Sequence, residues 1–238
     1  TLARSKKVPS PATGPLLMLA AALLFTLMNL MIKLLGPQYT VWHIGFYRFG
    51  GGLLLLLALF GRDGNPFRSR NVRLLVIRGC TGSAAFICLV TAIRALPIST
   101  ALVIFYAYPA FAAVCAFWLY GERVGRLALV CVGLVLAGIA VLLAFRLTGD
   151  FLGQVMALVG AAFAGRTVPF IRSLREHNGP VVIYLYFCTM GSLVTLPVFA
   201  ARPVWPATAP EAAMIAGIVL ISVTAQLLMN QGIVYCRR

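Results

Sequence analysis

Residues 98–122 read ISTALVIFYAYPAFAAVCAFWLYGE, and no side chain from Ile98 to Tyr120 carries a charge. A helix rises about 1.5 Å per residue, so ~20 such residues cross the hydrocarbon core of a bilayer. The same kind of run recurs along the chain. Spans are expected at 14–35, 44–60, 74–93, 98–120, 127–145, 151–171, 181–200 and 212–234. Breaks rich in Gly, Pro and Arg separate them, among them GPQYT, GRDGNPFRSRN, YGERVGR and REHNGP. Polar residues do not alternate with apolar ones over short segments, which argues against a membrane β-barrel. The expected fold class is all-α: a polytopic membrane helix bundle of eight spans, with the lipid bilayer as its partner and solvent.

Composition agrees. The 238 residues are 61% apolar and 11% charged, against ~45–50% and ~25% for soluble domains. The net charge of +15 raises the question of a nucleic-acid partner. The positions of the basic residues answer it. With the N-terminus in the cytoplasm, thirteen fall inside: Arg4, Lys6, Lys7, Arg62, Arg68, Arg70, Arg73, Arg123, Arg126, Arg172, Arg175, Arg237 and Arg238. Four fall outside, Lys33, Arg94, Arg146 and Arg202, and three lie within spans, Arg48, Arg78 and Arg166. Membrane topology thus accounts for the charge, and no nucleic-acid partner is expected. The six cysteines form no CxxC pair and the two histidines are far apart, so neither a metal site nor a cofactor is expected.

A weak internal repeat organises the chain. A shift of 139 residues carries Gly14 onto Gly153, Leu19 onto Leu158, Ile32 onto Ile171, Lys33 onto Arg172 and Phe60 onto Phe199. A shift of 140 carries Ala85 onto Ala225 and Ile93 onto Ile233. The division expected is a cytoplasmic tail over 1–13, a first five-helix unit over 14–146 and a partial second unit over 150–238. Five spans are an odd number, so the second unit enters from the opposite face, the inverted-repeat plan of secondary transporters. By the same offset a complete second unit would end near residue ~285, about two helices further on.

Polar groups at lipid depth are costly and mark function or helix packing. None of the five acidic residues lies deep in a span, so carboxylate-based proton coupling has no candidate in these residues. Arg48 in the second span contacts an anion or other substrate, or else partners backbone carbonyls. Asn29 contacts substrate or bonds a neighbouring helix. Tyr106 and Tyr108 stand at mid-depth beside Pro109, which removes a helix hydrogen bond; cavity lining and simple packing both fit. Gln226 and Asn230 share a helix face at i, i+4, with Gln231 alongside, as cavity lining or as helix–helix glue. Pro169 is expected to kink the sixth span, and Glu122 to anchor a loop at the inner end of the fourth.

The stretch IRALPISTALVIFYAYPAFAAVCAFWLYGERVGRLALVCVGLVLAGIAVLLA (93–144) resembles the end of the first repeat of EamA-like proteins of the drug/metabolite transporter superfamily. Pro109 and Glu122 occupy the proline and inner glutamate of that pattern. Arg48-Phe49 matches the arginine-containing second helix, and AQLLMNQGIVYCRR (225–238) the end of the eighth. The resemblance implies ten helices in two inverted five-helix repeats, a central cavity and alternating access, in the bacterial inner membrane. Family members move amino acids, metabolites, nucleotide-sugars or drugs. The ninth and tenth helices have no counterpart in these residues, and in the family the ninth pairs with the fourth across the cavity.

The expected function is a secondary transporter that exports a small polar metabolite, an amino acid or related compound. Asn29, Arg48, Tyr106, Tyr108, Gln226, Asn230 and Gln231 would contact the small-molecule substrate. A homodimer is left open. A non-transporting paralogue or membrane scaffold is the alternative. A membrane-embedded enzyme is remote, because no nucleophile–base or metal cluster occurs at membrane depth.

Overall fold

The computed structural model describes residues 13–61, 67, 69–121, 125–145 and 150–235. The tail through residue 12 and Glu122 lie outside them. The helices are α1 (Thr13–Leu34), α2 (Val41–Phe60), α3 (Val72–Ala95), α4 (Ile98–Phe105), α5 (Tyr108–Tyr120), α6 (Arg126–Phe145), α7 (Phe151–Arg175), α8 (Pro180–Ala201) and α9 (Ala209–Tyr235). Among the described residues seven helical segments are long and apolar enough to cross a membrane, α4 and α5 together forming one of them over Ile98–Trp118. α6 adds a further helix of 20 residues.

Local chemistry sets the ends. The backbone N–H of Thr40 donates to Nδ1 of His43 at 3.2 Å, which opens α2. Asp150 Oδ1 accepts from the N–H of Leu152 at 3.0 Å and opens α7. Pro180 stands in the first turn of α8, where its missing N–H costs nothing. Gly121, at φ 63°, closes α5 in the left-handed conformation that favours glycine.

The distribution of polarity is that of a protein solvated by lipid. Leu16, Leu19, Leu23, Leu27, Leu30 and Leu34 form an exposed stripe on α1, at three- and four-residue spacing. The buried set instead includes Asn29, Arg48, Arg78, Ser222, Gln226 and Asn230. Apolar side chains face out and polar ones face in.

The packing follows a two-fold exchange. α1 packs on α9, α7 on α3, and α2 on α8. Exchanging each span with the one five places on turns the first pair into the second and the third into itself. The lesser pair α3–α8 becomes α9–α2, and both are present. Two copies of one unit inserted in opposite senses require this pattern.

The fourth span departs from the single continuous helix expected over 98–120. It breaks at Tyr106 and Ala107. Pro109 has no N–H for the carbonyl of Phe105, so the regular bonding of the helix lapses one turn before the proline. The N–H of Ala107 turns to the carbonyl of Ile104 at 3.1 Å instead.

Candidate functional site

The buried polar side chains converge on a central cavity of about 520 Å³. α1 contributes Asn29, α2 Arg48, α3 Arg78 and α9 Gln226, while the break in the fourth span presents Tyr106 and Tyr108. Apolar groups such as Phe25, Met28, Leu89 and Leu102 make up much of the remaining wall. An apolar cavity with a few convergent polar groups is the usual form of a small-molecule site.

Two arginines dominate its chemistry. Arg48 is 4% exposed and Arg78 is 2% exposed. The Arg48 guanidinium carbon lies 3.9 Å from the centroid of Phe86 and 5.7 Å from those of Phe49 and Phe187. Arg78 lies 4.4 Å from the centroid of Phe187. Phe49 meets Phe86 edge-on at 5.3 Å and Phe187 at 5.0 Å, so the three rings form one aromatic wall around both cations. Each such contact contributes about 0.5–2 kcal/mol. Removing an ion from water costs several kcal/mol even after relaxation, so the rings alone do not compensate. Hydrogen bonding is incomplete: Arg48 has Tyr184 as a side-chain partner, but its Nε, and Nε and Nη1 of Arg78, are buried without one. Asn29 Oδ1 is likewise buried and unpartnered.

Of the residues expected to contact substrate, the structure brings Asn29, Arg48, Tyr106, Tyr108 and Gln226 to one cavity. It places Asn230 and Gln231 outside the lining. Asn230 is fully buried, takes the amide of Gln226 on its Oδ1 at 3.2 Å and donates to the carbonyl of Pro180 at 3.4 Å. Gln231 accepts from Arg175 at 3.1 Å and donates to Tyr235 at 3.1 Å. Both tie helices together. Pro169 is buried inside α7. Arg78 is the residue sequence reasoning passed over. Its signal was a charge seven positions into an apolar helix with no acid on that helix.

The two ends of the bundle differ. At the end where α1 finishes, Lys33 donates to the carbonyls of Ile93 and Leu96 at 2.6 and 2.9 Å. Arg94 answers from α3 with bonds to the carbonyls of Leu35, Gly36 and Tyr39. Tyr39 donates to Oε2 of Glu211 at 2.8 Å, and Gln38 to Oε1 at 3.0 Å. Burial, then the Glu211 carboxylate, push the Tyr39 phenol up to about 12. At the other end, Asn178 accepts from the N–H of Arg70 at 3.1 Å and donates to its carbonyl at 3.0 Å. The connections before α3 and after α7 therefore share one end of the molecule, as the charge count requires. The cavity lining reaches Met18 and Ile233 toward this second end. Among the described residues no three His, Cys, Asp or Glu are grouped to hold a metal.

Comparison with known proteins adds to this geometry. The profile of the EamA-like transporter family matches residues 12–144. The pseudopaline exporter CntI of Pseudomonas aeruginosa strain UCBPP-PA14 is 26% identical over 221 residues, covering 92% of this chain and 78% of the relative. Its counterpart in strain PAO1 matches to the same extent. A solved crystal structure superposes with a TM-score of 0.62 at 18% identity, over 95% of this chain and 84% of that one. That likeness concerns the fold alone.

Proposed function

This chain belongs to the EamA-like transporter family, and we propose that it is a secondary carrier exporting a small polar metabolite, an amino acid or a related compound, by alternating access across the bacterial inner membrane. That it is a multi-pass membrane protein of a transporter family follows from the family match and the helices; direction, substrate type and cycle are the proposal.

The observation that carries it is the cavity between the two halves, polar at its centre, with side-chain bonds across the end where α1 finishes and a lining that reaches Met18 and Ile233 toward the other. Polar groups at the midplane between inverted repeats are where alternating-access carriers hold their solute. The excess of Lys and Arg on the N-terminal side supports placing that side in the cytoplasm, with the Lys33–Arg94 end outward. A solute would enter from the cytoplasm and leave once the Lys33–Arg94 and Tyr39–Glu211 contacts part. The relative from Pseudomonas aeruginosa is an exporter, which supports the direction.

The test is flux in proteoliposomes holding the purified chain. A panel of amino acids, carboxylic acids and amines should include at least one solute with saturable flux above that of empty liposomes. No flux for any of them would overturn the carrier reading.

A further inference from the structure

We propose that the solute is an organic anion with carboxylate or phosphate oxygens on an apolar body, and that Arg48 and Arg78 together hold those oxygens. The inference rests on the cavity being the solute site.

Three observations lead there. First, both arginines line the cavity, and between them three nitrogens, Nε of Arg48 and Nε and Nη1 of Arg78, are buried without an acceptor. Neither donates to a backbone carbonyl among the described residues. Second, the two cations flank one ring, Phe187, at 5.7 and 4.4 Å, yet none of the acidic residues among the described residues, Asp150, Glu176 and Glu211, lines the cavity. Two like charges in a water-poor site are stabilised most by an anion between or beside them. A guanidinium presents its donors as a planar fork that fits carboxylate and phosphate oxygens. Third, the aromatic wall fixes both planes before any ligand arrives. Gly82 leaves room beside them: a Cβ there would lie 2.8 Å from Phe187 and 3.2 Å from Nη1 of Arg78. The apolar side of the cavity, with Phe25, Met28 and Leu102, suits the carbon body of the same molecule.

The test uses the full chain in detergent and four probes of similar size: phenylsuccinate, phenyl phosphate, phenethylamine and 2-phenylethanol. Binding is read by titration calorimetry and by thermal stabilisation. At least one of the two anions should bind, with affinity falling as salt rises, and the amine and alcohol should not. Preference between the anions tells carboxylate from phosphate chemistry. Arg48→Gln and Arg78→Gln should each weaken anion binding about tenfold or more. Lysine at either position should restore part of it, and Arg166→Gln, which alters net charge away from the cavity, should leave it intact. The glutamine variants should melt no lower than the parent when empty, because they shed an uncompensated buried charge. Anion binding that survives in the double variant, or preferred binding of the amine, overturns the proposal. Flux of neutral or cationic solutes untouched by Arg48→Gln would overturn it while leaving the carrier reading standing. Arginine-dependent binding with no flux of any solute would do the reverse.

Discussion

The guanidinium carbon of Arg48 lies 3.9 Å from the centroid of the Phe86 ring. Arg48 comes from α2 and Phe86 from α3, so this contact joins two spans and sets the plane in which the arginine presents its donors. Phe86→Leu keeps an apolar side chain but removes the π-face. The expected loss is about 1–2 kcal/mol of stability, with a several-fold weaker hold on phenylsuccinate or phenyl phosphate. Thermal unfolding and titration of the variant check both. An unchanged affinity would mean that Phe86 does not orient the arginine.

Gly191 allows Phe49 to take its place in the same wall. A Cβ at position 191 would stand 2.4 Å from Cγ of Phe49. Gly191→Ala therefore forces the ring aside or parts α2 from α8, at about 1–3 kcal/mol. The melting temperature should fall, and anion binding with it. A variant as stable as the parent would show that the helices approach less closely at this point.

Tyr39 gives the outer end a pH dependence. An unfolded tyrosine titrates near ~10, whereas this phenol is pushed up to about 12. The protonated form is the one that folding favours. Its contribution is whole below pH 10 and is lost as pH rises from there toward 12. Melting curves should show a decline over that window, and Tyr39→Phe should remove that step while lowering stability by about 1 kcal/mol at neutral pH. Identical alkaline profiles for parent and variant would contradict the assignment.

Asn29 offers a test of sidedness. Its side chain lines the cavity, and side-chain bonds cross the Lys33–Arg94 end. In a cysteine-free background, Asn29→Cys should react with a membrane-impermeant thiol reagent from the cytoplasmic side, more slowly when a bound anion fills the cavity. Faster labelling from the outside would reverse the proposed orientation of the resting state.

Much of the bundle was legible in the sequence because lipid imposes one strong rule: long uncharged runs become helices, and basic residues collect on one side of them. The joining of Arg70 to Asn178 at one end follows from that rule. What the sequence did not carry was helix rotation. α9 is apolar around most of its circumference, so its sequence does not say which face meets the cavity. Gln226 faces it, while Asn230, one turn later, turns to the start of α8 and Gln231 to Arg175. Arg78 was missed for a related reason. Five residues after Arg73 on α3, it reads as a stray charge near a helix end. Its meaning depends on Arg48 lying across from it and on Phe187 of α8 lying beneath it, a proximity that only packing of three helices creates. The break at Tyr106 was half visible, since Pro109 announces a lost hydrogen bond but not that the helix stops and restarts.

The measurement that bears most directly on the whole account is current from proteoliposomes carrying the chain, with the anionic probe that binds enclosed and the potential set by a potassium gradient. Moving one charge across 100 mV changes the energy by ~2.3 kcal/mol, so an anion carrier should give probe-dependent outward movement of negative charge. That current should grow as the interior is made more negative, and it should vanish in the Arg48→Gln, Arg78→Gln double variant. No probe-dependent current, or one that persists in the double variant, would contradict transport of an anion through the arginine-lined cavity.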